Sequence, residues 1–279
     1  MCRHLVCLGP ERTVASAVTQ GGHSLARQAW APEQMRGGGT INADGFGACW
    51  WAAGGVPGVG QHRTTLPIWS DPALGRAVAG DGDGVEAGGG GAAGDGTPAV
   101  RGTLEQIRAT AILAAVRSAT PGMAVSAQAC APFTDGRWAF SHNGVIRGWP
   151  DTVAGLADAI PAAEVMRGEA ATDSVFLWQL FRARITAGMD AADAAASLVR
   201  DVEERAPGSR LNLLATDGGR VVATAWRHSL WVLDAPDELW IASEPITDVG
   251  WAEVDDGVLV DARVGRVQSE PIPIAANTR

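Results

Sequence analysis

The sequence predicts an α+β fold, with sheets and helices layered around one core. Three observations point there. Apolar, strand-like runs occupy residues 2–8 and 45–53, helical segments fall at 172–181 and 190–206, and short strands with a hairpin follow from residue 211. Strands, then helices, then strands suggest segregated layers.

Taken in order, residues 2–8 are extended and apolar, and Gly9-Pro10 is expected to end the run. Residues 14–20 have weak helical character, and residues 45–53 (GFGACWWAA) read as a buried strand. The stretch 79–98 contains nine of the 36 glycines and four acidic residues without a base. Such a composition cannot bury enough apolar surface to order itself, so a flexible, acidic Gly-rich surface insertion is expected. A phosphate cradle is the functional alternative, but its carboxylates would repel the ligand. Residues 103–117 are Ala-rich and helical by propensity, while Ile112 and Val116 also permit a strand in the second half. Residues 138–142 alternate like a strand and run into Asn143-Gly144. Thr172 is a suitable N-cap for the helix carrying Val175, Leu177, Trp178, Leu180 and Phe181. Pro207-Gly208 stops an amphipathic helix over 190–206. Asp217-Gly218-Gly219 joins strands 211–215 and 221–226 as a hairpin, and strands follow at 230–234, 239–243 and 258–264. A length of 279 residues allows one domain or two.

Composition removes several chemistries. The 22 basic residues are all arginine, there is no tyrosine, and there are 11 tryptophans. Without lysine there is no Schiff base to a pyridoxal cofactor and no Gly-Lys-Ser/Thr phosphate loop. A net charge of −9 argues against a general nucleic-acid binder. The four cysteines (Cys2, Cys7, Cys49, Cys130) lack metal-finger spacing, and no run of 18 apolar residues suggests a membrane span. With no signal peptide legible, a cytoplasmic protein with reduced thiols is expected.

Four short stretches can carry chemistry. Removal of Met1 would leave a thiol and a free α-amine on Cys2; an α-amine titrates near ~7.7–8.0 and can serve as the thiol's own base. If the strand is extended, Cys7 points to the opposite face and is a packed thiol. Arg117, with the hydroxyl of Thr120 three residues on, suits a carboxylate; equally it is a surface arginine before a Pro-Gly turn. The Asn143 amide and Gly144 N–H suit an oxyanion, although Asn-Gly is also a common hairpin turn. Asp173 can hold an ammonium, or simply favour the helix dipole in a first turn.

Together these stretches resemble the class II glutamine amidotransferases, which are N-terminal nucleophile hydrolases. The matching elements are Met1-Cys-Arg-His4, Asn42-Ala-Asp-Gly-Phe-Gly47, Arg117-Ser-Ala-Thr120, His142-Asn-Gly144 and Thr172-Asp-Ser174, in the family's order. Trp30-Ala-Pro32, Pro67-Ile-Trp-Ser-Asp71 and Ala129-Cys-Ala-Pro-Phe133 are similar to the branch that hydrolyses the γ-glutamyl amide of hercynylcysteine S-oxide. The resemblance implies a four-layer αββα sandwich in one domain spanning 1–279. It implies Cys2 as nucleophile, Asn143 and Gly144 as oxyanion hole, Arg117 and Thr120 on the glutamyl carboxylate, and Asp173 on its ammonium. No metal or organic cofactor, nucleic acid, membrane or synthetase domain is implied. Trp30, Trp50, Trp51 and Trp69 are candidates to face the trimethylammonium of the leaving half. Family members often carry Asn and His before the Pro-Phe pair; this chain has Gln128, Ala129, Cys130 and Ala131, so Cys130 is expected to be structural. Two other readings stand beside hydrolysis: a glutaminase subunit supplying a separate synthetase, and a non-catalytic sensor of γ-glutamyl compounds.

Overall fold

The structure is a computed structural model that describes residues 2–36, 41–54, 58–78, 102–120 and 122–274. The insertion expected at 79–98 lies outside the described residues. The strands are β1 (Arg3–Thr13), β2 (Phe46–Ala52), β3 (Gly60–Thr64), β4 (Arg108–Val116), β5 (Phe133–Thr134), β6 (Ala139–Val145), β7 (Arg210–Thr216), β8 (Val221–Ala225), β9 (Trp231–Asp234), β10 (Leu239–Ala242), β11 (Ala252–Glu253), β12 (Val258–Arg263) and β13 (Arg266–Pro271). The α-helices are α1 (Val14–Thr19), α2 (Leu25–Gln28), α3 (Thr103–Gln106), α4 (Ala162–Met166), α5 (Asp173–Thr186) and α6 (Ala191–Arg205).

The strands form two antiparallel sheets, ordered β11-β9-β10-β1-β4-β2-β3 and β13-β12-β8-β7-β6-β5. Alternation along each strand explains the layers. On β1, Leu5 and Cys7 face a cluster with Val14, Val18 and Leu25 of α1 and α2, whereas Val6 and Leu8 pack between the sheets with Leu113, Leu214 and Val260. On β7, Leu211 and Leu213 face Leu177, Leu180, Phe181 and Leu198 of α5 and α6, whereas Leu214 faces the other sheet. Helices cover the outer face of each sheet, so the chain is an αββα sandwich whose central strands are buried on both sides.

The layers account for the differences from sequence expectation. Residues 108–116 form a strand, and only Thr103–Gln106 is helical. Ile112 and Ala114 pack on the helix side and Ala111 and Leu113 between the sheets, and this two-sided burial overrides alanine's helix preference. β1 does not stop at Gly9-Pro10: the register shifts between Leu8 and Arg12, and this bulge accommodates the missing proline N–H. Asn143-Gly144 lies inside β6, paired with Asn212 and Leu211, and is not a hairpin turn. β13 lay outside the expected strands because it is a largely exposed edge with little apolar alternation. Thr172 caps α5 as expected, its Oγ1 accepting from Val175 N at 3.2 Å.

Candidate active site

Several strands end together beside residue 2. Arg3 pairs with Val116 of β4, so Cys2 stands at the strand end next to Arg117. On the other side of β1, Leu5 pairs with Ala242, which brings Ser243 and Glu244 beside His4 and Arg3. His4 Nδ1 lies 3.1 Å from Ser141 Oγ on β6. The even-numbered face of β1, which continues to Cys2, therefore looks across the sandwich at β6. Cys2 is half-buried.

Arg117 is held from behind. Its N–H donates to Gly45 O at 2.8 Å, its carbonyl accepts from Asp44 N at 3.0 Å, and the Asp44 carboxylate accepts from Ala119 N at 2.8 Å. The Asn42–Gly47 motif thus fixes the backbone that carries Arg117. The side chain is buried, and its Nη1 has no hydrogen-bond partner among the described residues. A buried guanidinium with an open donor has the chemistry to pair with an anion. Thr120 is exposed on the same turn.

Opposite, Asn143 is fully buried; its Nδ2 donates to Ser243 Oγ at 3.0 Å, and its Oδ1 has no partner among the described residues. Gly144 must be glycine, because a Cβ would stand 1.9 Å from the Arg210 carbonyl oxygen. His142 locks this strand to its neighbours: Nε2 lies 3.0 Å from Arg210 O and Nδ1 3.1 Å from Ser174 Oγ. A carbonyl only accepts, so Nε2 donates to Arg210 O. Asp173 opens α5; its carboxylate accepts from Ile146 N at 3.1 Å and Ser174 N at 2.8 Å. That ties the acid to the residues just beyond Gly144.

The other cysteines are packing groups. Burial pushes the Cys7 and Cys49 thiols up to about 12. Cys130 rises to about 11, again through burial, with Arg117 partly offsetting it. Its Sγ lies 3.4 Å from the carbonyls of Thr64 and Ser126, where a Cβ on Gly45 would come within 2.2 Å of it.

The four tryptophans divide. Trp50 and Trp51 pair with Ile112 and Ala111, four and five residues along β2 from the Phe46–Val116 pair, or roughly 14–17 Å from the site end. Trp50 packs on the helix-side cluster and Trp51 on the intersheet one. Adjacent residues therefore face opposite sides, and neither is brought to the site. Trp69 follows the end of β3, whose Thr64 pairs with Phe46, and is 39% exposed. Trp30 is 50% exposed, with the Arg27 guanidinium 5.2 Å from its ring centroid. Its loop is held near Asn42, whose N–H donates to Ala29 O.

Sequence reasoning missed a buried polar group behind the site. The Arg3 guanidinium lies 2.9 Å from Glu244 and 3.2 Å from His228 Nε2, and all three residues are buried. Glu244 also accepts from the N–H groups of Glu33 and Gln34, which pins the loop after Trp30. Burial, reinforced by nearby His142 and Arg3, pushes His4 down to about 3; burial and Arg3 push His228 down to about 2. The only local signal was the repeated Arg-His at the start and near Trp226, too short to mark partners 225 residues apart. Among the described residues no three His, Cys, Asp or Glu side chains gather as metal ligands, and no helix is long and apolar enough to cross a membrane.

The two facing sheets give the chain the fold of class II glutamine amidotransferase domains. Among solved structures the chain is similar to a glutamine aminotransferase class-II domain protein from Silicibacter pomeroyi, with TM-score 0.63 and 20% identity over 98% of this chain and 100% of that one. It is also similar to the glutamine phosphoribosylpyrophosphate amidotransferase of B. subtilis, with TM-score 0.59 and 12% identity over 98% of this chain and 49% of that one. No protein-family model matches the sequence. Among curated proteins it is 34% identical over 273 residues to the γ-glutamyl-hercynylcysteine sulfoxide hydrolase of Mycolicibacterium smegmatis, covering 98% of this chain and 100% of that protein. The enzyme of the same name from Mycobacterium tuberculosis is 34% identical over 262 residues, covering 94% and 92%. The chain belongs to the γ-glutamyl-hercynylcysteine sulfoxide hydrolase family.

Proposed function

We propose that this chain, acting as one domain in the cytoplasm, hydrolyses the γ-glutamyl amide of γ-glutamyl-hercynylcysteine S-oxide to glutamate and hercynylcysteine S-oxide. The observation that carries the reading is Arg117, a buried guanidinium with an open donor beside residue 2. Once Met1 is removed, the Cys2 α-amine takes the thiol proton and the sulfur attacks the γ-carbonyl. Negative charge gathers on the carbonyl oxygen, where the Asn143 amide and Gly144 N–H stabilise it. Collapse expels the leaving amine, to which the Cys2 α-ammonium passes the proton, and leaves a γ-glutamyl thioester on Cys2. Water, deprotonated by the Cys2 α-amine, attacks the thioester; glutamate is released and the proton returns to the Cys2 sulfur as the free thiol. Arg117 with Thr120 holds the α-carboxylate, and Asp173 the α-ammonium.

Trp30 and Trp69, the two solvent-exposed members of the set, are the aromatic faces offered to the trimethylammonium. Intact mass and glutamate release together test the reading. Loss of Met1, turnover of γ-glutamyl-hercynylcysteine S-oxide well above that of glutamine, and no turnover by Cys2→Ala are expected. Glutamine turnover stimulated by a synthetase would favour the ammonia-supplying role. Retained Met1 with tight binding and no hydrolysis would favour a sensor.

A further inference from the structure

Ser243 lies one residue past β10 and is fully buried between the sheets. Its backbone N–H donates to His4 O at 3.0 Å, so it continues the ladder beside the first residues of β1. Its Oγ accepts from two donors, His4 N at 3.1 Å and Asn143 Nδ2 at 3.0 Å. One oxygen therefore joins the backbone two residues from Cys2 in one sheet to the Asn143 side chain of the other. Ser243 is itself braced, because its carbonyl accepts from Ser229 Oγ at 2.9 Å.

The tie matters because the Asn143 carboxamide has no other hydrogen bond among the described residues; its Oδ1 is buried and unpartnered. The last torsion of an asparagine is broad and roughly two-fold, so the amide plane is set by its partners rather than by its own rotamer. With Nδ2 bonded to Ser243, one N–H is spent on the tie and the second remains for a ligand. Without the tie, a half-turn exchanges Nδ2 and Oδ1 and presents a lone pair to the developing oxyanion.

We propose that Ser243 is a positioning residue for the hydrolysis: its hydroxyl orients the Asn143 amide and sets it against the strand that carries Cys2. This rests on the reading of Asn143 as an oxyanion donor. A positioning residue acts in the transition state through another group, so its loss lowers kcat and leaves KM alone, and disappears when that group is removed.

The test is a double-mutant cycle on γ-glutamyl-hercynylcysteine S-oxide hydrolysis with Ser243→Ala, Asn143→Ala and the double variant, each checked by thermal melting. Loss of an oxyanion donor typically costs about 10²–10³ in rate, so Asn143→Ala sets the ceiling. Ser243→Ala is expected to lower kcat about tenfold or more with KM within about twofold, and the double variant to be no slower than Asn143→Ala alone. If Ser243→Ala fails to fold, Ser243→Thr and Ser243→Val give the same reading: they match in volume, and only threonine keeps the hydroxyl and should keep the rate. Wild-type kcat in Ser243→Ala, multiplicative losses in the double variant, or equal rates for Thr and Val would overturn the positioning role while leaving Asn143 in place. Wild-type kcat in Asn143→Ala would overturn the oxyanion reading itself and the proposal with it.

Discussion

Acid should loosen this fold earlier than its surface charges suggest, and His4 is the residue on which to measure it. His4 is fully buried between the sheets, and its folded value lies at about 3 against an ordinary 6.5. Burial is the main cause, with His142 and Arg3 adding repulsion. Because the folded value is lowered, the unfolded chain binds the proton first as pH falls. Stability is intact above about pH 6.5 and drains away between there and about 3, at about 1.4 kcal/mol per pH unit. From pH 7 to about 4.5, one such histidine removes about 2–3 kcal/mol. The measurement is urea unfolding of wild type and His4→Gln at both pH values. Other groups titrate in both proteins and cancel in the comparison. Wild type should lose about 2–3 kcal/mol more than the variant over that interval. Equal losses would refute the claim that His4 stays neutral in the folded chain.

Three further outcomes are expected. Arg117→Gln should lower kcat/KM about 10²-fold, the scale of a lost charge-assisted pair, with an unchanged melting curve, since no acid among the described residues loses a partner; undiminished kcat/KM would remove Arg117 from the site. Gly144→Ala should cost about 1–3 kcal/mol in thermal unfolding, because the added methyl meets the Arg210 carbonyl and the strand must shift. Brief alkylation of the native protein with iodoacetamide should modify Cys2 ahead of Cys7, Cys49 and Cys130, as peptide mass spectrometry reads; the last three are buried, with thiols raised to about 12, 12 and 11. Labelling of Cys130 as fast as Cys2 would contradict the packed environment drawn here.

Much of the fold was legible because the signals are local. Thr172 caps α5 as its hydroxyl chemistry dictates, Pro207-Gly208 ends α6, and Asp217-Gly218-Gly219 turns β7 into β8. Residues 103–117 were not legible, because propensity and burial conflict there, and the strand is held in place by partners more than 50 residues distant in sequence. The candidate site divides in the same way. Cys2, Arg117, Asn143-Gly144 and Asp173 stand in short motifs that name their chemistry. Ser243, Glu244 and His228 stand in no such motif, since each acts only through a partner across the chain.

The amino-acid sequence by itself determined the α+β class, the absence of lysine and tyrosine chemistry, the order of the motifs, and Cys7 as a packed thiol through simple strand parity. Tertiary structure alone decided that Asn143-Gly144 sits in a strand, that Trp50 and Trp51 stand far from the site end, and that Arg117 is buried with an open donor. It also decided that one serine hydroxyl joins the two sheets behind the nucleophile. The physical reason is that strand pairing and burial are non-local: a residue's neighbours along the chain set its preferences, while the layers that close over it set its environment.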